Sequence, residues 1–187
     1  DNDDGDQSED DEDAATPTLV EICDNGTDDD GDGYADCPDT DCSGVPNAGP
    51  DANVCTGSSA SLSATATGPF SPYTFAWSHS LGSGATKSVT PIATTTYTVT
   101  ITGSNGCTAT DQVVVTVNPR PTVTAGASQT ICNGTSATLT VSASNGAAPY
   151  TFAWSNGLGA GASKTVTPSS TTTYTVTATD SYGCIAT

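Results

Sequence analysis

Residues 28–39 read Asp-Asp-Asp-Gly-Asp-Gly-Tyr-Ala-Asp-Cys-Pro-Asp. With Asp28 as position 1, carboxylates fall at positions 1, 3, 5, 9 and 12, as Asp28, Asp30, Asp32, Asp36 and Asp39, and glycine falls at position 6. That is the register of a calcium loop: glycine at 6 makes the sharp turn, and the residue at 7, here Tyr34, offers its backbone carbonyl. Hard oxygen donors on an irregular loop suit Ca2+ better than a transition metal. Asp39 is the weakest ligand of the set, being shorter than the usual Glu and following Pro38. A solvated acidic linker is the competing reading, and it does not require the register. Zinc fits poorly, since no histidine is near and the flanking ligands are carboxylates.

The elements that would position this loop are unevenly charged. Of the 21 acidic residues in the 187-residue chain, 18 lie in residues 1–42. The remainder holds Asp51, Asp111 and Asp180 together with all three basic residues, Lys87, Arg120 and Lys164. The net charge of −18 therefore belongs to the head, which would repel itself without bound cations. Nucleic acid and anionic lipid both call for a basic surface, so neither is expected as a partner. No apolar run approaches the ~18 residues of a membrane span, and no signal-peptide pattern is seen, so any such peptide is expected to have been removed. Residues 1–13 hold nine carboxylates and no apolar residue, and read as a solvated tail, residues 1–15 in all.

Shifting the chain by 77 residues lays it on itself without a gap. Tyr73 to Ser78 matches Tyr150 to Ser155, Thr94 to Thr100 matches Thr171 to Thr177, and Cys55 and Cys107 match Cys132 and Cys184. Tyr97, Val99 and Ile101 alternate with threonine, as do Leu62, Ala64 and Ala66, which is the period of a half-buried strand. Asn105-Gly106 marks a turn. About seven such short strands around a central Trp predict an all-β fold: two tandem immunoglobulin-like sandwiches over 45–119 and 120–187. A strand-like segment and the Asp/Cys motif precede them over 16–44. Matching cysteines in small units predict disulfides Cys55–Cys107 and Cys132–Cys184, and with them an extracellular setting. Each bridge would close a loop of about 50 residues, worth about 3–4 kcal/mol. Among Cys23, Cys37 and Cys42 at most one mutual bridge can form.

Two resemblances rest on these residues. The run from Glu21 through Cys23 and Asp28 to Asp36, Cys37 and Cys42 resembles the Asp-rich metal-binding motif of secreted and surface proteins of bacteria. The 77-residue units, through Pro72 to Ser78 and Thr94 to Val99, resemble the PKD-like, immunoglobulin-like repeats of large secreted bacterial adhesins. The resemblance implies a non-catalytic structural or adhesive role at the cell surface.

The second repeat lacks a counterpart of the run from Asp111 to Asn118, in which Val113, Val115 and Val117 would face inward. The groove so exposed is worth about 5–8 kcal/mol of apolar burial and should recruit a strand. Copies of this chain are the expected partner, with Pro17 to Ile22 as donor strand in a head-to-tail filament. A chain merely continuing into a further repeat is the competing reading. The functional expectation is a non-enzymatic, calcium-stabilised structural protein, because His79 is the lone histidine and no nucleophile–base set exists. The alternative is an adhesin or carbohydrate-binding accessory module with a glycan or surface ligand. Trp77 and Trp154 could stack on sugars, but identical placement in both repeats favours a core role.

Overall fold

The computed structural model describes Cys37 and residues 42–187. Among them every regular element is a strand. The first repeat carries β1 (Val45–Asn47), β2 (Ala52–Cys55), β3 (Ala60–Ser63), β4 (Thr65–Thr67) and β5 (Thr74–Trp77). It continues with β6 (Gly82–Ser83), β7 (Thr86–Val89), β8 (Thr95–Thr102) and β9 (Thr108–Asn118). The second repeat carries β10 (Thr122–Ala125), β11 (Ala137–Ser144), β12 (Thr151–Trp154) and β13 (Gly159–Ala160). It ends with β14 (Ser163–Val166), β15 (Val176–Thr179) and β16 (Ile185–Ala186). The all-β, immunoglobulin-like class expected from the period-2 pattern is the class observed.

The sheets are ordered β2-β9-β8-β5-β6, β3-β7 and β1-β4 in the first repeat, and β10-β11-β14 and β13-β12-β15-β16 in the second. Most pairings are antiparallel, such as Trp77 opposite Val99 and Trp154 opposite Val176. The pair β2 and β9 is parallel, with Ala52 opposite Val115 and Cys55 opposite Asn118. The run through Leu62, Ala64 and Ala66 does not stay one strand. It breaks at Ala64, whose N–H donates to Ala85 O, and β4 then pairs with β1.

Two compact units interleave along the chain, one holding residues 42–49, 63–87 and 97–112, the other 50–62, 88–96 and 113–187. In the first, Tyr97, Val99 and Ile101 of β8 and Trp77 of β5 are buried, and the Trp77 indole N–H donates to Gly84 O at 3.1 Å. In the second, Val141, Trp154 and Val176 form a core, with Val123, Leu139, Phe152, Leu158 and Tyr174 packed against it. These residues come from both sheets of the second repeat, so the two sheets close on one another as a sandwich. The Trp154 indole N–H donates to Gly161 O at 2.8 Å, the counterpart of the Trp77 bond. Threonine occupies the outward positions, where a branched Cβ suits the pleat.

The cysteine pairing expected from the repeat does not form. Cys55 bonds Cys184 and Cys37 bonds Cys107, with Cα separations of 5.6 and 5.1 Å, while Cys132 is exposed and unpaired. Cys55 lies opposite Asn118 at the C-terminal end of β9, and Cys107 directly precedes its N-terminal end. Eleven extended residues separate those two levels by about 35 Å, far beyond the ~7 Å a disulfide tolerates.

Candidate functional site

The chemistry available among the described residues gathers at the two turn cysteines, Cys107 and Cys184. Each closes an equivalent turn. Gly103 N–H donates to Cys107 O and Gly106 N–H to Gly103 O. In the second repeat Asp180 N–H donates to Cys184 O and Gly183 N–H to Asp180 O. Gly106 and Gly183 hold φ near +86° and +80°, a region open to glycine without strain. The Asn105-Gly106 turn expected from sequence is therefore present.

Different side chains pin the cysteine backbone in the two turns. Asn105 Oδ1 accepts from Cys107 N–H at 3.2 Å, and its Nδ2 donates to Cys42 O at 2.8 Å. In the second repeat Asp180 does this work. Its Oδ1 accepts from Cys184 N–H at 2.8 Å and Tyr182 N–H at 3.0 Å, and its Oδ2 from Ala147 N–H at 3.1 Å. The counterpart of Asp180 is Gly103, and that of Asn105 is Tyr182. The anchoring function has thus moved two positions along the turn. Gly146 permits the approach, because a Cβ there would stand 2.6 Å from Asp180 Oδ2. Burial pushes the Asp180 carboxyl up, yet the N–H donors of Ala147, Cys184, Tyr182 and Gly183 outweigh it, and the group titrates below its ordinary value.

The other acids are also backbone ties. Asp111 Oδ2 accepts from Ala48 N–H at 2.7 Å, and bonds from Ala48 and Gln112 hold its carboxyl below the usual range. Asp51 Oδ1 accepts from Val114 N–H at 2.8 Å. Beside the Cys55–Cys184 bridge, Arg120 Nε donates to Thr56 O, Nη1 to Ile185 O and Nη2 to Ser58 Oγ. The disulfide and the guanidinium together fasten residues 55–58 of the first repeat to residues 184–185 of the second. Cys42, fully buried, is disulfide-bonded as well.

Ser78 Oγ lies 2.9 Å from His79 Nδ1. It also accepts from Thr98 N–H, and Ser155 Oγ accepts likewise from Thr175 N–H, where Asn156 replaces His79. The serine is a strand-pinning acceptor in both repeats, and the His79 ring packs edge-on against Tyr97. Trp77 and Trp154 are core residues, which withdraws them as sugar platforms. Asp28, Asp30, Asp32, Tyr34, Asp36 and Asp39 lie outside the described residues, as does Pro17 to Ile22. Among the described residues no cluster of His, Cys, Asp or Glu could hold a metal.

Sequence reasoning missed the repeat-to-repeat disulfide. The length of the strand after Cys107 held the warning, since Asp111 to Asn118 already reads as extended and carries the chain away from that cysteine.

The SprB repeat family matches residues 124–159, from β10 to β13. No curated protein sequence matches the chain. Among solved structures it is similar to the N-terminal eight Ig domains of Down Syndrome Cell Adhesion Molecule, at 14% identity over 72% of this chain and 25% of that one, with TM-score 0.49. It is also similar to the fibronectin(III)-like modules of Clostridium thermocellum CbhA, at 17% identity over 78% and 90% of the two chains, with TM-score 0.38. A third similar structure is Sidekick-1 immunoglobulin domains 1-5, at 17% identity over 76% and 37%, with TM-score 0.42. The chain spans a quarter of the length of the first of these.

Proposed function

We propose that this chain is part of a non-enzymatic, extracellular surface protein of adhesion type. Its immunoglobulin-like repeats form a covalently fastened scaffold, and its acidic head binds calcium. The observation that carries the reading is the disulfide from Cys55 to Cys184, which joins one repeat to the next across 129 residues. Disulfides of this kind persist in oxidising compartments outside the cytosol. The SprB repeat match at residues 124–159 supports the surface assignment, and no helix among the described residues is long and apolar enough to cross a membrane. The carboxylates of the repeats are each engaged with backbone N–H groups, and Ser78 serves the sheet, so the chemistry on view fastens chain to chain.

The calcium assignment rests on the register Asp28, Asp30, Asp32, Tyr34, Asp36 and Asp39. Bound ion would stabilise the head by mass action. Calorimetric titration of the whole chain with Ca2+ tests it. Saturable binding is expected, together with protection of residues 16–44 from protease that chelator removes. Replacing Asp30 and Asp32 by asparagine should abolish both. Absence of binding heat in the unaltered chain refutes the calcium reading.

A further inference from the structure

The chain has seven cysteines, and the described ones leave a single partner for Cys42. Cys37 is bonded to Cys107 and Cys55 to Cys184, and Cys132 is unpaired. Cys42 is disulfide-bonded, and none of those five can be its partner. The cysteine that remains is Cys23. A bond from Cys23 to Cys42 closes a ring over residues 23–42, and that ring contains the whole calcium register Asp28, Asp30, Asp32, Tyr34, Asp36 and Asp39.

The C-terminal side of that ring is fastened to the first repeat. Cys42 is fully buried, and its carbonyl accepts from Asn105 Nδ2 at 2.8 Å. A Cβ on Gly44 would stand 2.5 Å from the Tyr73 ring and 2.8 Å from Ile101 Cδ1, so only glycine fits there. β1 follows, paired with β4, and Ala48 N–H donates to Asp111 Oδ2 at 2.7 Å. Upstream of Cys42, Cys37 is tied through its sulfur to Cys107, whose N–H donates to Asn105 Oδ1. Asn105 therefore holds both anchors at once. An aspartate in its place could not donate to the Cys42 carbonyl. In the register Cys37 directly follows Asp36 and precedes Asp39, so the last two carboxylates flank an anchored residue.

We infer that Cys42 is bonded to Cys23, and that the two bridges Cys23–Cys42 and Cys37–Cys107 make calcium binding by the head depend on its oxidation state. The inference rests on the calcium reading above and names what regulates that site. Ligands spread over an open chain lose conformational freedom when an ion gathers them, and their like charges resist the gathering. A ring anchored on a folded repeat has given up part of that freedom beforehand. Asp39 gains most, because it is the shortest reach in the register and lies between the two anchored cysteines. Reduction undoes the arrangement. Each bridge takes up two electrons and two protons from a dithiol, which leaves as a disulfide, and two thiols remain on the chain. The head is thus a poor calcium ligand where cysteines are kept reduced, and a competent one in an oxidising compartment.

Two measurements on the whole chain test this. Cleavage before aspartate without reduction separates Cys23, Cys37 and Cys42 onto different peptides, and mass spectrometry should find the Cys23 peptide linked to the Cys42 peptide. Calorimetric titration with Ca2+ then compares the unaltered chain with three variants. Replacing Cys23 and Cys42 together by serine should weaken binding about tenfold or more, and so should replacing Cys37 and Cys107 together. Cys23→Ser alone, which leaves the buried Cys42 in place, should weaken it likewise, so that a folding fault in the double variants does not decide the matter. Cys132→Ser should bind as the parent does. A Cys23 found as a free thiol, or linked to any other cysteine, overturns the ring. Affinity within about twofold of the parent in Cys23→Ser and in both double variants overturns the dependence on oxidation. No binding heat from the unaltered chain overturns the calcium reading and the dependence with it, while the Cys23–Cys42 bond is still decided by the peptide map alone.

Discussion

Replacing Cys55 by serine separates the observed disulfide pattern from the one the repeat suggests. Cys55 and Cys184 are 129 residues apart. With Cys37–Cys107 intact, the shorter route between them in the unfolded chain still runs to about 95 residues. Releasing a loop of that size restores enough chain entropy to cost about 4.5–5 kcal/mol of stability. For a chain of this length that lowers Tm by about 10–20 °C. Arg120 cannot compensate, because its three hydrogen bonds are exposed and each contributes about 1 kcal/mol. The assay is thermal and denaturant unfolding without reductant, followed by alkylation of free thiols and peptide mapping. The thiol newly exposed should be Cys184, in addition to the Cys132 already free. A Tm within about 2 °C of the parent, or a new thiol at Cys107, refutes the connectivity from which the loop length is taken.

Acid should weaken the chain through its carboxylate ties. Asp111 and Asp180 titrate below their ordinary value of 3.8 in the folded chain, so their contribution is complete above that value and is lost as pH falls through the lower folded values. Asp180→Asn should show a shallower fall of Tm below about pH 4 than the parent, and a parallel fall would exclude Asp180 as a source. Among the core residues, Leu62→Ala should cost about 3–5 kcal/mol, and Leu139→Ala, at the half-buried counterpart, about 1–2 kcal/mol less than that. Equal losses in denaturant unfolding would show that the two sites are packed alike.

Much of the fold was legible along the chain. Alternation placed Tyr97, Val99 and Ile101 inward and threonine outward, because strand side chains point to opposite faces at every step. The same pattern put Val113, Val115 and Val117 inside; Val113 and Val115 are fully buried, whereas Val117 is half-buried and its neighbour Asn118 is buried instead. Repetition at 77 residues fixed which tryptophans share a role, and both indoles donate to the glycine carbonyl seven residues on. The Asp-rich register is a property of the sequence alone, since its ligands lie outside the described residues.

Tertiary structure decided how the cysteines pair. Spacing along a repeat treats Cys55 and Cys107 as neighbours, but a disulfide answers to distance in space. That distance is set by where β9 ends and by the parallel register of β2 against it, with Cys55 opposite Asn118. The identity of the residue that pins the turn was equally hidden: Asn105 does so in one repeat and Asp180 in the other, from different positions of the same loop. A period in sequence assigns equivalent places. Which atoms meet across those places depends on the reach of each side chain and on the level at which each strand stops.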